Sequence, residues 1–261
     1  MTESSLGIIE NPPGFVVRTE ARKAAFDNGF RIEQGELQGW LGFASTTARG
    51  HIFIARGEGG GLWYLALDHP GVIAEIALPQ APLAGPGAAR YAFEGLPDIY
   101  TAISTAWRFG VSLPDAPLAR FDAATRELPR STEAERMVVQ RVGQNIFRTA
   151  LMDYWQGRCP LTGIAEPELL RASHIVPWAH CKDDAQRLDV HNGLLLSALW
   201  DAAFDTGLVS FSDSGQAVAS PRLSSEARAW LLFDAAPPLS ALTPAHHRNL
   251  ARHRLSHGYG A

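Results

Sequence analysis

Residues 158–211 read RCPLTGIAEPELLRASHIVPWAHCKDDAQRLDVHNGLLLSALWDAAFDTGLVSF, and this stretch decides the fold. Leu170 to Pro177 reads as a strand that carries His174. About a dozen largely polar residues follow, from His180 to His191, and are expected to loop. Asn192-Gly193 is a turn signal and leads into a second strand, Leu194-Leu195-Leu196. Ser197 suits the N-cap of a helix running to about Phe204. Asp201 and Asp205, four residues apart, then share one helix face. Gly207 stands where a C-terminal cap glycine belongs, and Leu208 to Phe211 returns as a strand. The expectation is a β-hairpin bearing a histidine, with a helix beneath it bearing two carboxylates.

Those residue types suit hydrolysis of a phosphodiester. A water must lose a proton, and neutral histidine is the natural base near pH 7. A divalent cation offsets charge on the phosphate and on the departing oxygen. Aspartates are hard oxygen ligands suited to Mg²⁺ or Mn²⁺. Taken singly, each residue has a plainer reading. A lone His174 is a structural histidine, Asn192-Gly193 a turn, and Asp201 or Asp205 a solvated helix charge or a residue closing the helix. The signal lies in their fixed order.

The segments ASHIVPW (172–178) and NGLLLSALWDAAFDTGLVSF (192–211), preceded by RVGQNIFRTALMDYWQGRCPLTG (141–163), resemble the HNH, or ββα-metal, endonucleases and among them a bacterial restriction-type subgroup. The resemblance implies that His174 is the general base. It implies that Asn192, grouped with His174 in the catalytic set, holds the loop and the base in register. It makes Asp201 a metal ligand and Asp205 a second ligand or a structural cap. Arg141, Gln144 and Arg148 lie at i, i+3 and i+7 of the preceding helix and match polar positions of the family segment, which implies contact with a DNA backbone; the plain alternative is an ion pair. Two positions depart from the pattern. Ser173 stands where many such proteins carry Asp or His, and Trp200 where many relatives carry His. The metal is then expected to rely on few protein groups, with water and phosphate completing its shell.

Around this core the 261-residue chain has room for one large or two modest domains. Apolar residues make up 46% and charged residues 19%, enough for a sizeable core and against disorder. Net charge is −4 and neither half has an excess of cations, so charge alone points to no nucleic-acid partner. Two cysteines, Cys159 and Cys181, are too few for a disulfide framework or a four-cysteine zinc site. They suit a reducing compartment. With no basic-then-apolar leader and no run of 18 apolar residues, a cytoplasmic protein without a membrane partner is expected.

The fold class expected is α+β. A small mixed domain spans 1–125, and a nuclease domain with its core at 158–212 spans 131–261. The proline-bearing segment 111–130 is the boundary. In the first domain, 1–14 reads as a loose arm and Thr19 to Phe26 as a short helix. Gly39 to Ser45, His51 to Ala55 and Leu62 to Leu67 read as strands, Val72 to Leu78 as helix or strand, and Pro97 to Phe109 as an amphipathic helix. Trp40, His51, Trp63 and Tyr64 read as core or as the lining of a pocket for a flipped base. In the second domain a capped helix is expected from about Ser131 to Tyr154, with Val138, Val142, Ile146 and Leu151 on its apolar side. The Arg- and His-rich C-terminus, LTPAHHRNLARHRLSHGYGA, reads as a solvated surface helix or one touching phosphate, and His180 and His191 as surface residues or as contacts to phosphate or metal.

The function expected is a metal-dependent endonuclease acting on double-stranded DNA, with the first domain reading the target. Restriction of foreign DNA, modified or not, is the expected biology, and a two-fold homodimer would cut both strands. Two alternatives remain open: a non-catalytic DNA-binding protein on a degenerate scaffold, and a nuclease effector used against rival cells.

Overall fold

The computed structural model of the chain describes residues 8–240 and 242–259, so the first half of the expected N-terminal arm lies outside the described residues. The chain divides into two compact units, Met1–Ala116 and Pro117–Ala261. Both mix helices with antiparallel strands, an α+β organisation.

In the first unit a five-stranded antiparallel meander runs in chain order. Its strands are β1 (Ile32–Leu37), β2 (Trp40–Ala44), β3 (His51–Arg56), β4 (Trp63–Leu67) and β5 (Ala89–Phe93). Helix α1 (Phe15–Asp27) begins four residues earlier than the sequence suggested. It packs with α3 (Leu96–Ser112) on the sheet, while α2 (Pro70–Glu75) follows β4. Strands β1 and β5 escape a pattern reading. Every residue of β1, IEQGEL, is exposed, so the segment lacks the alternation that marks a half-buried strand. The Pro/Gly/Ala run before β5 masks its start. Trp40, Trp63 and Tyr64 are buried to 2% exposure or less, and Trp40 packs on Tyr64 with Ala55 and Ala66. The proposed base-flipping pocket from these residues is therefore corrected to core, since rings closed off to that degree cannot sandwich an incoming base. His51 is exposed and pairs with Asp68 at 2.7 Å.

Helix α4 (Asp115–Thr125) lies within the segment read as the domain boundary. Its Pro117 falls in the first turn, where a missing N–H removes no intrahelical bond. In the second unit, α5 (Glu133–Tyr154) starts with a capping box in which Thr132 and Glu135 bond each other's backbone N–H. Its buried face is Val139, Gly143, Phe147, Ala150, Leu151 and Tyr154. Val138 is exposed, so the expected apolar side is rotated by one residue except at Leu151. The cause is close packing at Gly143, where an added Cβ would sit 2.6 Å from Trp178 Cη2.

The hairpin of β6 (Leu170–His174) and β7 (Gly193–Ser197) lies against α5, and α7 (Ala198–Asp205) packs on both strands. The loop between the strands holds α6 (Asp184–Arg187) and two short 3₁₀ turns. A second hairpin, β8 (Val209–Phe211) with β9 (Ala217–Ala219), follows, then α8 (Ser225–Trp230) and α9 (Pro244–Ser256). The fully solvated reading of α9 is corrected: His246, Leu250 and His253 are buried, and Arg254 donates to Phe211 O and to Asp213. His191 is corrected likewise, its side chain only 12% exposed and bonded to Asp189, while His180 is exposed. Among the described residues no helix is long and apolar enough to cross a membrane.

Candidate active site

His174 is the last residue of β6 and pairs with Gly193 of β7. Gly193 is needed there for space: a Cβ would come within 2.5 Å of Phe147 Cζ and 2.9 Å of Leu151 Cδ1. With only hydrogen at that point, α5 closes on the hairpin and Phe147 stacks on the His174 ring at 3.8 Å, 19° from parallel. Trp178 meets the same ring edge-on at 5.6 Å. The Nε2 of His174 lies 2.9 Å from the carbonyl oxygen of Arg187. A carbonyl only accepts, so Nε2 carries the proton and Nδ1 holds the lone pair. Burial lowers the His174 pKa below the usual imidazole value, with the Arg187 bond working the other way. Its neutral, proton-accepting form therefore prevails at pH 7.

Asn192 is fully buried. Its Oδ1 accepts from Val176 N at 2.8 Å, and its Nδ2 reaches Val176 O, Gln186 O and Cys181 Sγ. Its backbone oxygen accepts from Ile175 N. One side chain thus joins the end of β6, the loop and the start of β7, including the residue before Arg187. It lies in the scaffold around the His174 ring.

Asp201 and Asp205 stand one turn apart on α7. Both carboxyls have raised pKa values. For Asp201 burial is the cause, opposed by the Ser173 hydroxyl and Arg171. For Asp205 burial comes first and repulsion from Asp201 second, again opposed by Ser173. Ser173, buried in β6, donates to Asp205 Oδ1 at 3.3 Å. It steadies the carboxylate pair. Trp200 is 1% exposed and stacks on Phe211 and Phe233 at 6.2 and 5.9 Å. The second departure from the family pattern is therefore a core residue. Asp201 is half-buried and Asp205 exposed; they are two hard oxygen donors one turn apart, and among the described residues no group of three or more His, Cys, Asp or Glu gathers as a metal site.

A cleft of about 340 Å³ is lined by His174, Asp205, His253 and His257 together with Ala172, Ile175, Pro177 and Trp178. The site thus brings His174 and Asp205 to one opening. It does not bring the α5 trio there as one set. Arg141 and Gln144 are exposed, whereas Arg148 donates to Leu170 O at 2.8 Å and Pro167 O at 2.5 Å. Arg148 is committed to the backbone entering β6. Sequence reasoning missed Phe147, Trp178 and the Arg187 carbonyl. A backbone oxygen leaves no trace in residue type, and only the Gly143 and Phe147 spacing hinted that this α5 face packs closely.

Residues 159–212 match the family model described as HNH endonuclease. The match spans the hairpin, its loop, α7 and β8. No curated protein matches the chain.

Proposed function

We propose that this chain, carrying an HNH endonuclease domain at residues 159–212, is a metal-dependent DNA endonuclease whose general base is His174 Nδ1. One observation carries the reading: Nε2 of His174 is held by the Arg187 carbonyl, which leaves the lone pair on Nδ1 of a ring that lines the same cleft as Asp205. His174 takes the proton of the attacking water. Phe147 and Trp178 fix the ring plane, and Asn192 fixes the loop that presents the Arg187 carbonyl. Asp201 and Asp205 would hold Mg²⁺ or Mn²⁺. Such an ion supplies positive charge against the phosphate and the departing oxygen. Arg141 and Gln144 offer an exposed polar face to a DNA backbone.

Restriction of foreign DNA is the biological role favoured, on the sequence resemblance to restriction-type HNH proteins alone. The first unit would then read the target, and a two-fold pair of chains would cut both strands. The test is incubation of the parent and of H174A with unmodified plasmid and with modified phage DNA, in Mg²⁺ or Mn²⁺. Discrete fragments from the parent, absent with H174A, support the reading, and the preferred DNA identifies the class of target. If neither DNA is cut, or both proteins cut alike, the reading fails.

A further inference from the structure

The cleft holds a second imidazole arrangement that the HNH match does not reach, since His253 and His257 lie beyond residue 212. The two differ in what their rings can do. His253 is engaged at both nitrogens: Nε2 donates to Phe204 O at 3.1 Å, and Nδ1 accepts from the Ser210 hydroxyl at 3.0 Å. It also stacks on Phe204 at 3.9 Å. Burial, and then the charge of His257, lower its pKa to about 4, so it stays neutral and structural. His257, the residue capping α9, tilts against His253 at 4.5 Å. No hydrogen bond from its ring is made among the described residues.

The position of His257 is built from several sides. Gly207 lies at φ +65°, and a Cβ there would overlap the His257 ring. Just past His257, Tyr259 donates its hydroxyl to Gly207 O at 3.0 Å. Arg222 donates to Thr206 O and Gly207 O. The ring is thereby held beside the end of α7, two residues beyond Asp205, in the cleft that His174 shares.

A base with a cation offsets the charge on the departing 3′ oxygen, but that oxygen still has to gain a proton to leave as an alcohol. On the nuclease reading above, on which this inference rests, we propose that His257 is a further catalytic residue that donates the proton taken up by that 3′ oxygen. The water oxygen forms its bond to phosphorus as His174 Nδ1 accepts the water proton. The bond from phosphorus to the 3′ oxygen breaks as a proton on the His257 ring passes to that oxygen. Both imidazoles regain their starting states by exchange with solvent.

The experiment compares parent, H174A, H257Q and H257A in single-turnover cleavage of whichever plasmid or phage DNA the parent cuts, with saturating Mn²⁺. DNA affinity is measured separately in an H174A background, and thermal midpoints are recorded. A loss of roughly 10²–10⁴-fold in the cleavage step is expected for H257Q, the range for a general acid. Affinity should stay within about twofold, and added imidazole should restore part of the H257A rate, as a missing proton donor allows. An H257Q rate equal to that of the parent overturns the assignment. So does a loss that follows weakened DNA binding or a lowered thermal midpoint, with no rescue by imidazole. In both cases an inactive H174A leaves the nuclease reading standing, whereas a parent that cuts neither DNA removes both.

Discussion

Because a carbonyl oxygen accepts and never donates, the Arg187 bond fixes the proton on Nε2 of His174 and leaves the lone pair on Nδ1. Burial favours the uncharged ring, so the base form persists to lower pH than for a free imidazole. At saturating Mn²⁺ the acidic limb of the cleavage rate is expected to have its midpoint below the ordinary value of about 6.5; a midpoint at or above it contradicts the burial argument. The carboxylates carry the opposite sign. Their raised pKa values mean that the folded chain holds protons more tightly than the unfolded one, so ionising Asp201 and Asp205 weakens the fold as pH rises above their unfolded values. D201N should therefore raise the thermal midpoint without metal. Solvent screening limits the gain to about 2–4 °C, the shift that about 1 kcal/mol makes at this size. Mg²⁺ or Mn²⁺ should raise the midpoint of the parent and not that of D201N. A metal response that survives in D201N would remove Asp201 from the cation site.

At the scale of elements, the β6–β7–α7 unit stands or falls with Asn192. Replacing it by Ala leaves the Val176 N–H and the Gln186 carbonyl without their partner inside the protein, and the Val176 carbonyl with the Cys181 thiol alone. The loss of stability is expected to be about 2–3 kcal/mol, read from denaturant midpoints. Cleavage should fall further than stability accounts for, because the Arg187 carbonyl moves with the loop. An N192A variant with parental midpoint and rate would show that the loop is held by other means. This unit was legible in the sequence because its signals are local: the Asn-Gly turn, the paired aspartates, and Gly207 at positive φ. Other elements were hidden for stated reasons. Strand β1 exposes every residue and so shows no period. The inward face of α5 is set by Gly143 and Phe147 meeting Trp178 and His174, partners distant in sequence. Helix α9 has polar composition, yet it buries His246 against the rings of Tyr154, Trp155 and His191, and His253 through bonds to Phe204 O and the Ser210 hydroxyl, contacts that only the tertiary fold supplies.

For the whole molecule, pH acts through buried histidines. His253 has a folded pKa of about 4 against an unfolded value near 6.5, so the unfolded chain binds its proton first as pH falls. Stability is complete above about pH 6.5 and declines towards pH 4, by on the order of 2–3 kcal/mol from this residue, with His174 adding loss of the same sign. Urea midpoints measured from pH 7.5 to 4.5 should show that slope, and it should be shallower in H253N; equal slopes would contradict it. DNA binding belongs to this scale as well. With net charge −4, affinity must come from a local cationic face and should drop steeply with salt. The most direct measurement of the central claim is single-turnover DNA cleavage by parent and H174A, each with Mn²⁺ and with EDTA, alongside DNA binding by both. The account predicts cleavage only by the parent with Mn²⁺, a drop of about 10²–10⁴-fold or more in H174A, and similar DNA affinity for the two. An H174A protein that cuts at the parent's rate would contradict it.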